Sequence, residues 1–201
     1  MPTAAAGPRR RADAERNIAR IVSAARKSLS GDPNASVDDI AKAAGVGRMT
    51  LYGHFGTRAE LVEAALIDAL RAGEETLSAV DLTGDAQDAL ARLLDSGWSL
   101  VAESMALLTA AQGTLPAGRI RQLHAAPAQR VEELIRRGQN EDAFRTDLPI
   151  AWLVSAVHYI LQGAAEENRA ERLKTEDAAR VVTATVQSLL SPPPPDFHGS
   201  R

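Results

Sequence analysis

Apolar residues recur along this chain at spacings of three and four, and that rhythm predicts helices almost from end to end. Ile18, Ile21, Val22, Ala25 and Leu29 share one stripe and predict a first helix over 12–29, broken by Gly31-Asp32-Pro33-Asn34. Val37, Ile40, Ala41 and Ala44 predict a short second helix. Ser36 is its N-cap, Asp39 completes a capping box, and Gly45 is its left-handed stop. Val46, Leu51 and Phe55 form the buried side of a third helix, so 36–55 reads as a helix-turn-helix. After the Gly56-Thr57 turn, Thr57 and Glu60 cap a helix over 58–80 with Leu61, Val62, Ala65, Leu66, Ala69 and Leu70 inward.

The rest continues in the same way. Leu90, Leu93, Leu94, Trp98 and Val101 mark a helix from 85, prolonged by Met105, Leu107 and Leu108 to a break at Gly113-Thr114-Leu115-Pro116. A short amphipathic piece over 117–125 precedes a helix from Pro127 to about Gly138, and Pro suits a first turn because its N–H is not needed there. Two helices, 149–170 and 175–190, are apolar over more than one side. A helix of that kind is covered on both sides, which points to a second copy of the chain over the outer face. Val157, Leu161, Val182, Val186 and Leu189 are the expected interface residues. Ser191 followed by four prolines ends the last helix.

Charge divides the chain unevenly. Up to Arg58 there are ten basic side chains against five acidic ones, a balance of +5, and a net charge of −3 overall leaves the remainder at −8. A basic head on an acidic body is expected where only the head meets phosphates. The exposed side of the third helix carries Arg48, Met49, Thr50, Tyr52 and His54, donors and apolar tips that suit a DNA groove. A guanidinium donates two hydrogen bonds to guanine O6 and N7, so Arg48 is the candidate for base readout, with a phosphate contact as the alternative. Gly47 and Met49 beside it allow close approach or meet thymine methyls. Ser36 offers an electropositive helix end to a phosphate.

The run IAKAAGVGRMTLYGHFGTRAEL resembles the DNA-binding core of the TetR family, with Ile40, Ala41, Ala44, Gly45, Val46, Thr50, Leu51, Tyr52, His54, Phe55 and Leu61 matching its usual pattern. Gly53 stands where that family usually has a long polar residue, and Gly56 replaces a frequent proline. The stretch AFRTDLP from Ala143 is similar to a connection common in such regulators, with Asp142 where glycine is usual. Asp tolerates left-handed backbone better than most residues.

The resemblance implies an all-α fold: a three-helix helix-turn-helix head over 12–57 and a helical ligand-binding and dimerisation domain over 58–190. Residues 1–11 form a basic arm expected to be disordered, attracting DNA non-specifically or entering a minor groove, and 191–201 a Pro-rich disordered tail. In the family the second helix of the motif enters the major groove, and Thr50, Tyr52, His54 and Arg58 match positions that contact the backbone. The implied partners are a double-stranded palindromic operator, a second copy of the chain in a four-helix interface, and a small apolar effector whose binding releases a repressor from DNA. A member of the same fold that answers to a protein partner is the alternative. Trp98, Met105, Trp152 and Tyr159 are large side chains available to line an effector cavity or to fill a core.

Other chemistry finds no support. The chain has no cysteine, and its four histidines stand in no metal-ligand spacing. Gly45-Val46-Gly47 follows no strand and lacks a third glycine, so it is not a dinucleotide fingerprint. No metal, cofactor or enzymatic activity is expected. With no apolar run long enough for a bilayer and no signal peptide, the expected location is cytoplasmic and away from the membrane.

Overall fold

The computed structural model describes residues 8–194, with side chains from Ala12 onward. The side chains of Arg9–Arg11 in the proposed arm, and the tail from residue 195, lie outside the described residues. Every regular element among the described residues is an α-helix: α1 Pro8–Gly31, α2 Val37–Ala44, α3 Arg48–His54, α4 Arg58–Leu77, α5 Ala86–Gln112, α6 Ala117–Leu123, α7 Ala125–Asn140, α8 Ile150–Arg169 and α9 Thr175–Leu190. Several boundaries differ from the periodicity by a few residues, α1 running on to Gly31 and α6 ending at Leu123 among them. The first helix begins at Pro8, so Pro8–Arg11 are helical; proline is favoured at a first helical position and arginine is a good helix former. α4 ends at Leu77, with a turn over the three residues that follow. α7 begins at Ala125, two residues before Pro127, which is tolerated because first-turn N–H groups have no intrahelical partner.

The described residues form two compact units, one comprising those up to Arg71 together with Ala106–Ile120, the other Ala72–Met105 together with those from Arg121 onward. In the first unit, Ile21, Ala25 and Leu29 of α1 are fully buried together with Ile40 of α2, and Leu51 of α3 is nearly so. Leu61, Val62, Ala65 and Leu66 of α4 add to this core. Arg26 reaches Asp68 at 3.1 Å and Arg119 reaches Glu63 at 2.6 Å, tying α1 and α6 to α4.

The second unit buries Ala86, Ala89, Leu90, Leu93, Leu94 and Trp98 of α5, Leu134 and Ile135 of α7, Leu153 and Val157 of α8, and Val182, Val186 and Leu190 of α9. Between α7 and α8 the chain turns through Asp142, whose φ of 56° is the left-handed conformation expected of it. The turn is pinned to the end of α9: the Arg145 N–H donates to Leu190 O at 2.8 Å, and its guanidinium grips Asp147 through two bonds of 2.8 and 2.7 Å. That grip holds the Asp147 carboxyl below its usual pKa.

Two expectations for the body are corrected. Val157, Val182 and Val186 are only 1%, 1% and 0% exposed within a single chain, so they belong to its own core. Leu161 and Leu189 are half-buried. The arc looked too wide because both helices also carry apolar residues outward: Trp152 is 57% and Tyr159 68% exposed. Those two aromatics therefore do not line an internal cavity with Trp98 and Met105, which are buried.

Candidate nucleic-acid interface

The capping box at the start of α2 is complete. Ser36 Oγ accepts the Asp39 N–H at 3.1 Å, and Asp39 Oδ2 accepts the Ser36 N–H at 3.2 Å. The Ser36 hydroxyl also bonds Asp39 Oδ2 at 2.5 Å, and these contacts hold the Asp39 carboxyl below its ordinary pKa. With the hydroxyl spent and Asp38 and Asp39 in the first turn, this helix end is poorly suited to the phosphate expected at Ser36.

Gly45 ends α2 at φ 64°, its N–H donating to the carbonyls of Ala41 and Lys42. Arg20 reaches across from α1 to Ala44 O at 2.7 Å, and a Cβ on Gly45 would lie 2.9 Å from that guanidinium. The turn thus needs glycine for its left-handed backbone, while the guanidinium tip could shift to admit a Cβ. Arg20 was not legible as part of this site, because the bond joins residues 24 apart whose stripes show no relation.

Leu51 turns inward from α3, and the outer side of that helix is left open. Met49 is 83% exposed, an arrangement that costs apolar hydration unless a partner covers it. Thr50 and Gly53 are exposed as well, and a Cβ at Gly53 would meet nothing within 4 Å. Tyr52 and His54 are half-buried. The Arg48 guanidinium lies 5.4 Å from the Tyr52 ring centroid, and its Nη1 donates to Asp38 Oδ2 at 2.6 Å. Ring and carboxylate together hold the side chain along the surface. Asp38 is a member of this site that a reading of helix caps overlooks; its only sequence signal is an acid ten residues before Arg48.

Arg58 does something other than expected. Its Nη1 donates to Ala35 O at 2.5 Å and its Nη2 to Pro33 O at 3.1 Å, so the side chain locks the loop before α2 to the first turn of α4. The carbonyls of a Pro-containing loop have no regular partners, and a guanidinium fork satisfies two at once. Replacing Arg58 with Ala should cost the fold about 1.5–3 kcal/mol, the range for hydrogen bonds to charged groups. The salt dependence of DNA binding should stay unchanged, measured as the slope of log affinity against log salt. A slope shallower by about 0.9, the value of one phosphate, would return Arg58 to the DNA-contacting set.

A short helix with an open, donor-bearing side, set by a tight glycine turn against a capped partner, is a helix-turn-helix arrangement. Residues 21–65 match the family model described as bacterial regulatory proteins, tetR family. The match covers the head alone, and over it the chain is similar to the tetR family. No curated protein matches it.

Solved structures of the same fold cover nearly the whole chain. The TetR-like regulator LfrR from Mycobacterium smegmatis, in complex with proflavine, aligns with a TM-score of 0.71 at 22% identity over 87% of this chain and 96% of its own. A TetR-family regulator from Agrobacterium tumefaciens gives a TM-score of 0.72 at 15% identity, covering 89% and 99%. RolR in complex with resorcinol gives 0.61 at 18% identity, covering 90% of each chain. At these identities the likeness is one of fold. No helix among the described residues is long and apolar enough to cross a membrane.

Proposed function

We propose that this protein is a transcriptional regulator, a homodimeric repressor that occupies a palindromic operator through α3 and leaves it when a small molecule binds the second unit. The observation that carries the reading is the open side of α3, where Arg48, Met49 and Tyr52 stand together beside a buried Leu51. With Nη1 engaged by Asp38, the Nε and Nη2 edge of Arg48 is the one that meets guanine O6 and N7. Met49 covers a thymine methyl, while Thr50, Tyr52 and His54 meet the sugar–phosphate backbone, and Gly47 lets the two chains approach. The fold relatives bound to proflavine and resorcinol support a small-molecule effector. Release requires only that the effector bind the free and DNA-bound states with different affinities.

Selection of bound fragments from a random DNA library tests the reading; a palindrome is expected, and absence of any enriched sequence would refute it. On the selected operator, Arg48→Ala should cost about 1–3 kcal/mol and relax preference at one base pair of each half-site. Uniform weakening across all sequences would make Arg48 a phosphate contact instead.

A further inference from the structure

Asp38 has no part in the capping box that starts α2, which Ser36 and Asp39 close between themselves. Its carboxylate instead accepts from Nη1 of Arg48 at 2.6 Å, across the glycine turn from α3. Tyr52, one turn along α3, presents its ring to the same guanidinium, with 5.4 Å from Cζ to the ring centroid. A carboxylate on α2 and a ring on α3 thus hold a cation that would otherwise sweep freely.

The pair adds little to the fold. Both side chains are 58% exposed, and ion pairs so open to water contribute little to stability. On a surface that meets DNA the carboxylate also carries a cost. A negative charge beside α3 repels every phosphate that approaches, whatever the base sequence. What the arrangement changes is the reach of Arg48. A free arginine at the rim of a groove bonds whichever phosphate is nearest and adds affinity for any duplex. An arginine tied at Nη1 loses that reach, yet keeps its Nε and Nη2 edge for two acceptors set as in guanine. Weaker binding of wrong sequences raises specificity just as better contact with the right one does.

We propose, resting on the reading of Arg48 as the base contact of α3, that Asp38 is a positioning residue that sets sequence discrimination. It holds Arg48 for base readout and keeps it from serving as a phosphate contact.

The test compares binding of the full-length protein to its selected operator and to a scrambled duplex of equal length, over a series of salt concentrations. Asp38→Ala places a good helix former at an exposed first-turn position, so the variant is expected to fold. It should bind the scrambled duplex about threefold or more tightly, with a slope of log affinity against log salt steeper by about 0.9, the value of one phosphate. Operator affinity should not rise with it, so the ratio of operator to scrambled binding falls by about threefold or more. Selection with the variant should show a relaxed preference at the base pair that Arg48 reads. In an Arg48→Ala background the same substitution should leave the ratio unchanged, because no side chain is left to hold. Equal tightening on both duplexes makes Asp38 a repelling charge alone and overturns the proposal. A ratio that still changes in the Arg48→Ala background overturns it too, since the carboxylate then meets a base itself. The two readings fail differently. A parent protein that binds duplex DNA but selects no sequence refutes the repressor and this role of Asp38 together. A parent that selects a palindrome, beside a folded Asp38→Ala variant with the same ratio, refutes the role of Asp38 alone.

Discussion

Replacing Gly138 with Ala is expected to destabilise the second unit by about 3 kcal/mol or more, at the upper end of the overpacking range. In an ordinary helix the same change stabilises, because alanine gains about 0.5–1 kcal/mol over glycine. Here the new Cβ would stand 2.1 Å from Cδ2, 2.4 Å from Cε2 and 2.7 Å from Cγ of Phe144. That ring is 2% exposed and has nowhere to retreat. Its backbone is held too, since the N–H groups of Ala143 and Phe144 both donate to Gly138 O, at 2.8 and 3.0 Å. The measurement is thermal unfolding by circular dichroism, with a drop on the order of 6–12 °C for a chain of this size. Pairing the change with Phe144→Leu should recover part of the loss, as contacting residues couple. A Gly138→Ala variant as stable as the parent would mean the α7–Phe144 packing is not as described.

The second large effect is expected at the outer face of α8 and α9. Tyr159 is 68% exposed and Trp152 57%, and beside Tyr159 runs a shallow, mostly apolar groove of about 380 Å³ lined by Ile160, Gly163, Ala164, Val181 and Thr185. This face is where we place the two-fold contact, with the same patch serving on both chains. A stable contact of that kind buries on the order of 1,200–2,000 Å² in total. A charge inside it, as in Tyr159→Asp, would be left desolvated and unpaired. The variant should run as a monomer in sedimentation at micromolar concentration. Its operator affinity should fall by roughly 10²–10⁴, the gain that linking two half-site contacts provides. Thermal stability of the single chain should hardly change, because exposed substitutions usually stay within about 0.5 kcal/mol. Charges at Val182 or Val186 would not make this test, since both side chains are buried inside one subunit and their loss would unfold it. A dimeric Tyr159→Asp protein with normal operator binding would move the interface elsewhere.

Several features were fully legible in the sequence. The capping box of Ser36 and Asp39, the left-handed Gly45 and the left-handed Asp142 all appear as read. Helix spacing likewise carried the all-α fold, and the run of head residues carried the likeness to the family over 21–65. Each of these depends on groups within a few positions of one another, joined by hydrogen bonds that close inside a single turn. Local sequence therefore contains the whole of the physics.

What the sequence left open are the choices of partner. Gly138 reads as a helix end, yet α7 continues to Asn140 and the glycine serves Phe144 by leaving room for it. Arg58 reads as a phosphate contact, yet its donors go to two carbonyls more than twenty residues away. Val157, Val182 and Val186 read as interface and prove to be core, while Trp152 and Tyr159 read as cavity lining and prove to be surface. The sequence by itself determined which stretches coil and which residues lie on a common stripe, because a helix is a local structure. Which stripe faces the same chain and which is left to a partner was decided only by the packed helices. A single helix carries two apolar sides without marking either as inner, and a long cation finds its acceptors only once distant segments have met.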